Sequence, residues 1–81
     1  MLFDVKISPN PSVSDFKLQI VTSVIEKTTI KILGIQGKLI KEMILSPYQK
    51  NISIGSDLNA GTYTVEVRQG KNMKKTKLLK F

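Results

Sequence analysis

The sequence predicts an all-β chain, a seven-stranded immunoglobulin-like or fibronectin-like β-sandwich, and three observations carry that expectation. Apolar and polar residues alternate with a period of two through most of the chain, the pattern of half-buried strands. Clusters of Gly, Pro, Asn and Ser interrupt the alternation roughly every 8–12 residues. No segment sustains a helical period, and no internal repeat is present.

In chain order, Phe3, Val5 and Ile7 alternate with Asp4, Lys6 and Ser8 to give a first strand, which Pro9-Asn10-Pro11 stops. Two prolines cannot donate to a ladder, and Ser8 and Asn10, each preceding one, are held extended; the tripeptide reads as a stiff crossing between sheets. Phe16, Leu18 and Ile20 share one face of a second strand. Residues 28–33 form a β-branched third strand with Ile30 and Ile32 inward and Thr29 and Lys31 outward. Residues 34–38 then turn the chain back, with Gly37 supplying the positive φ of a tight hairpin, so a fourth strand at 39–45 pairs with the third. That fourth segment has apolar residues on both faces, which predicts a partly covered edge or a bulge. It is shorter than the ~10–12 residues that would argue for a helix. After Ser46-Pro47 a short fifth strand spans 49–54, a sixth 62–68, and a hairpin at 69–72 returns the chain as a seventh at 73–81.

The sixth strand is entered through Leu58-x-x-Gly61-x-Tyr63, a corner in which a leucine plugs the end of a sandwich and a tyrosine lies across its mouth. The phenol is placed to hydrogen-bond backbone upstream, and Asp57 to cap the turn before it.

Composition removes most catalytic templates. The 81 residues fit one domain, 1–81, with no internal boundary, and 41% hydrophobic against 23% charged residues describes a folded chain rather than a disordered one. There is no cysteine and no histidine, so disulfides, thiolate metal sites, and the commonest general base and metal ligand all fall away. The six carboxylates, Asp4, Asp15, Glu26, Glu42, Asp57 and Glu66, form no catalytic or metal-binding motif. The expectation is a non-enzyme without cofactor or metal. No apolar run approaches the ~20 residues of a membrane span, and Asp4 interrupts the short apolar start, so any export signal would lie on sequence preceding this chain.

The net charge of +7 is concentrated at the end, where Arg68, Lys71, Lys74, Lys75, Lys77 and Lys80 follow the last acidic residue. Lysines on an edge strand guard against edge-to-edge pairing. They also suit partner docking, with Lys74, Lys75, Lys77, Leu78, Leu79 and Lys80 presenting charge and edge hydrogen bonds to a receptor. Nucleic acid is disfavoured because no aromatics interleave with the lysines. Without tryptophan, and with only Tyr48 and Tyr63, carbohydrate stacking is weakly supported. An uncovered edge leaves a homodimer open.

Ser8-Pro9-Asn10-Pro11, Phe16-Lys17-Leu18, residues 32–38 ending in Gly37-Lys38, residues 57–67 with Leu58, Gly61 and Tyr63, and the closing Lys77-Leu78-Leu79-Lys80 occur in the order seen in one family. On these residues, spread over nearly the whole chain, the sequence resembles a type A C-terminal sorting domain of the type IX (Por) secretion system. One departure is Gly34, where the family commonly has an aspartate before the Gly-Lys turn; no carboxylate can bond that hairpin here.

The resemblance implies a signal at the C-terminus of a larger exported Bacteroidetes protein, with Met1 an expression start and the N-terminal cargo missing. Cargo would cross the periplasm, be recognised by an outer-membrane translocon, and be cut from this domain by a sortase-like protease, then attached to the surface or released. Pro9, Asn10, Pro11, Gly37, Lys38, Leu58, Gly61 and Tyr63 would be structural. Two alternatives stay open: a fibronectin-like spacer or adhesion module, and a domain that binds polyanions through its basic face.

Overall fold

The computed structural model describes residues 2–81. Among the described residues seven strands and no helix form two antiparallel sheets, as the alternation predicts. In the first sheet β2 (Phe16–Thr22) lies between β1 (Phe3–Ser8) and β5 (Asn51–Ile54). In the second the order is β4 (Leu39–Leu45), β3 (Thr28–Leu33), β6 (Gly61–Gln69), β7 (Asn72–Lys80). The fourth strand thus joins β3 and β6, whereas an immunoglobulin constant domain would place it beside β5.

Period-two alternation sends one face of each sheet inward. The first contributes Val5, Phe16, Leu18, Ile20 and Ile54, and the second Ile30, Ile32, Leu45, Val65, Val67 and Leu78, all buried in one core. Each such side chain contributes ~1.5–3 kcal/mol when removed from water.

At one end of the sandwich the fully buried Gln69 ties three elements together. Its Nε2 donates to the Glu26 carbonyl at 3.0 Å and to Thr28 Oγ1 at 3.3 Å, and its Oε1 accepts from Thr22 Oγ1 at 2.7 Å. A glutamine read as a turn residue is in fact the last inward position of β6, satisfied because burial without partners would be costly.

Three local expectations are corrected. β5 begins at Asn51 rather than 49, because the Gln49 N–H is taken by the Ser46 carbonyl in the preceding turn at 3.1 Å. β6 and β7 run one residue further into their hairpin, since Gln69 and Asn72 pair directly and leave only two residues in the turn. Pro9-Asn10-Pro11 does not cross between sheets, for β1 and β2 are neighbours in one sheet. It is a detour in their connection, with both X-Pro bonds cis.

The two-faced fourth strand is both an edge and bulged. Ile32 opposes Lys41 while Leu33 opposes Leu39, so Ile40 is the extra residue. A Cβ added to Gly34 would lie 3.3 Å from Ile40 Cδ1, a tight contact with the end of the bulged residue's side chain. The turn closes through backbone alone: the Gly34 N–H donates to the Lys38 carbonyl at 2.8 Å and the Gly37 N–H to the Gly34 carbonyl at 2.9 Å. Gly37 has φ of +83°, as its place in the hairpin requires.

Candidate recognition surface on the last strand

β7 pairs with β6 on one side only and is an edge of the second sheet. In an antiparallel strand the N–H and C=O of one residue point the same way and alternate between neighbours. The N–H and C=O of Leu79 and the C=O of Lys77 point away from β6, because each bonds the loop between β1 and β2. By that alternation Met73 and Lys75 also turn their main-chain groups outward.

The outer edge is covered over only half its length. Asn10 Nδ2 donates to the Lys77 carbonyl at 2.7 Å, and its Oδ1 accepts from the Leu79 N–H at 3.1 Å. The backbone then takes over: the Ser12 N–H donates to the Leu79 carbonyl at 3.0 Å and the Phe81 N–H to the Ser12 carbonyl at 2.8 Å, making a parallel bridge between Ser12 and Lys80. Ser12 is itself buried and its Oγ donates to the Asp15 carbonyl at 2.7 Å, which fixes the loop. Residues 73–76 have no such cover.

Side chains of β7 divide by parity. Leu78 and Lys80 face the interior and their side chains are buried. Lys80 Nζ donates to the Gly55 carbonyl at 2.6 Å and to the Ser14 carbonyl, anchoring the end of the strand to two loops. Gly55 takes φ of +85°, and a Cβ there would stand 2.9 Å from Phe16 Cδ2, so no larger residue fits against the core ring. Lys74 lies at the rim and bonds Asp4 of β1, closing the gap between the sheets.

The outward face carries Met73, Lys75, Lys77 and the half-buried Leu79. Register places Glu42, Lys31, Glu66 and Lys75 in one row across four strands, with signs alternating. Arg68 Nη2 adds a 3.3 Å contact to Glu66 Oε1. Lys75 therefore ends a balanced row, whereas Lys77 sits opposite Thr64 and has no acidic neighbour in register.

The corner behaves as its residue types predict. Tyr63 Oη donates to the Asn59 carbonyl at 2.7 Å, Leu58 packs against the core, and its N–H closes the turn on the Gly55 carbonyl at 3.1 Å. Gly61 backs the Tyr63 ring, which an added Cβ would meet at 3.7 Å. The Asp57 carboxyl is held below its ordinary value of 3.8 by its own backbone N–H and then by Lys41, whose Nζ is 3.3 Å from Oδ2. The Asp4 carboxyl is likewise lowered, first by Lys74 and then by the Val5 N–H. Among the described residues no group of three or more acidic, cysteine or histidine side chains is placed to hold a metal.

Sequence reasoning missed the inward face of Lys80 and the cover that Asn10 and Ser12 lay over the strand. Sequence parity offered no decisive signal for the first, because Leu78 and Leu79 are adjacent and either could face inward. The family model described as Secretion system C-terminal sorting domain matches residues 6–80. No curated protein matches the chain.

Proposed function

The chain belongs to the secretion system C-terminal sorting domain family, a signal for type IX secretion, and on that premise we propose that the secretion machinery engages it along the open part of the β7 edge. As a sorting signal it interacts with the type IX machinery and serves a cargo exported across the outer membrane to the surface or beyond. A domain of this kind is not known as a catalyst, and the spacer or adhesion reading is not favoured by the family.

One observation supports the choice of surface. Met73 and Lys75 turn unpaired main-chain groups outward while Lys74, Lys75 and Lys77 stand exposed around them. A strand of the receptor would add there through main-chain bonds, with acidic side chains opposite the lysines. Of the residues assigned to recognition, Lys75 and Lys77 make direct contact, Lys74 and Leu79 flank it, and Leu78 and Lys80 hold the strand in place. Pro9, Asn10, Pro11, Gly37, Lys38, Leu58, Gly61 and Tyr63 keep structural roles. Residues 1–81 act as one domain behind an N-terminal cargo. The cargo passes through the periplasm to an outer-membrane translocon, where a sortase-like protease then removes the domain and leaves the cargo attached or free.

The test fuses residues 1–81 behind a periplasmically targeted fluorescent protein, in type IX-competent cells and a translocon-null control. The unmodified fusion reaches the surface or medium only in competent cells. Charge reversal of Lys75 and Lys77 to Glu, with folding verified, retains it in the periplasm. Normal export of that folded variant would overturn the choice of surface.

A further inference from the structure

The outer face of the β1-β2-β5 sheet, the sheet that does not contain β7, carries a groove of about 380 Å³, within the ~300–1,000 Å³ of small-molecule sites. Outward side chains of three strands build it. Register sets Lys6, Gln19 and Asn51 in one row, and Ser8, Lys17 and Ser53 in the next. Lys6 and Lys17 are therefore diagonal neighbours, a placement that puts such positions ~7–8 Å apart, close enough for both ammonium groups to reach one anion.

Neither lysine is in an ion pair, although Asp4, two residues from Lys6, feels its charge. The ion pairs among the described residues are Lys41 with Asp57, Arg68 with Glu66 and Lys74 with Asp4. No acidic side chain lines the groove, and Asp4, the nearest along β1, is engaged by Lys74. Around the two charges stand two amides and two hydroxyls, each able to donate and accept. No aromatic ring is present to stack on a neutral sugar or a base.

We propose that this groove binds a saccharide unit carrying one anionic group, a sugar phosphate or a uronic acid. The anion sits between Lys6 and Lys17, and the ring hydroxyls bond Gln19, Asn51, Ser8 and Ser53. The site is independent of the sorting edge.

Titration of the 15N-labelled 81-residue chain with glucose 6-phosphate and glucuronate, followed by amide shifts, tests it, with glucose and inorganic phosphate as controls. Both anionic sugars are expected to give saturable shifts confined to β1, β2 and β5. The ring hydroxyls make them at least about tenfold tighter than inorganic phosphate, and the anion between the two lysines at least about tenfold tighter than glucose. Lys6→Gln and Lys17→Gln, both on exposed side chains, abolish the shifts while the amides of Val65 and Leu78 stay in place. Absence of saturable shifts, shifts spread over all lysines, or unchanged binding by Lys17→Gln would overturn the site. Inorganic phosphate binding as tightly as the sugar phosphate would overturn the saccharide.

Discussion

The side-chain amide of Asn10 lies along Leu79 as the backbone of a neighbouring strand would. It accepts the Leu79 N–H at 3.1 Å while donating to the carbonyl of Lys77 at 2.7 Å. One side chain thus replaces a strand at the edge of the second sheet, and Ser12 continues the pairing with its main chain. The prolines on either side contribute no N–H donor that would need a partner, and the chain bends there to bring Asn10 against β7. The loop that opens the chain and the strand that ends it become one unit, and the unprotected edge shortens to residues 73–76.

Asn10→Ala removes both bonds to β7 at once. With water able to replace them at an exposed edge, the cost is ~1–2 kcal/mol. Amide exchange at Leu79 and Phe81 is expected to accelerate, while that of Leu78, which points to β6, speeds up only as far as global stability is lost. Unchanged exchange at Leu79 would show that Ser12 alone keeps the edge closed.

How far residues reveal such a unit depends on the range of the interaction. β1, β2, β3 and β6 follow from alternation because one face of each is buried. The Tyr63 bond to Asn59 was legible because it spans four residues and belongs to a known corner. Asn10 was legible only as a stopper, since its partners lie 67 and 69 residues away. In β7 the adjacent Leu78 and Leu79 left the inward parity undecided, and a lysine at 80 reads as solvent-facing until the carbonyls of Gly55 and Ser14 are seen to cap it.

Lys80→Met tests that cap. Methionine keeps the length and apolar stem but leaves two carbonyls without their donor. Bonds from a charged group are worth ~1.5–3 kcal/mol, so a loss of about 2 kcal/mol is expected. That corresponds to a fall in Tm of roughly 8–16 °C for a domain of this size. A melting temperature unchanged from the parent would mean that the ammonium group contributes nothing net.

Gly55→Ala strains the same corner twice. The residue sits at φ of +85°, and its new Cβ would press on Phe16 at 2.9 Å. Backbone strain of ~1–3 kcal/mol adds to displacement of a core ring, making this more damaging than Tyr63→Phe, which removes one bond worth ~1 kcal/mol. Urea denaturation of the two variants measures the order; a smaller effect at Gly55 would refute it.

Acid should loosen the sandwich at two rims. The carboxyls of Asp4 and Asp57 lie below their ordinary 3.8 in the fold, so the unfolded chain binds their protons first as pH falls. Their stabilisation is complete above the unfolded value and is lost as pH drops through the folded one. The urea midpoint is therefore expected to decline below about pH 4. Asp4→Asn with Asp57→Asn should flatten that limb, and Lys74→Gln should remove the larger part of the Asp4 contribution. A limb of unchanged steepness in the double variant would place the acid sensitivity elsewhere.

Truncation of residues 77–81 separates two meanings of a C-terminal signal. It deletes exposed Lys77 but also Leu78 from the core and Lys80 from its cap, and it leaves Asn10 and Ser12 without partners. Blocked export of the truncated fusion is the expected result, but loss of the fold alone would produce it. Lys75→Glu with Lys77→Glu changes only outward side chains, one of them at the end of the row Glu42, Lys31, Glu66, Lys75. The reversal there sets two glutamates opposite each other, costing a fraction of a kcal/mol, up to ~1. Lys75→Gln with Lys77→Gln avoids that penalty and supplies the control. If recognition reads charge along the edge, export falls in both folded variants and further in the Glu pair. Full export of both, with the truncation still blocked, would mean that the machinery reads the folded shape and not the lysines.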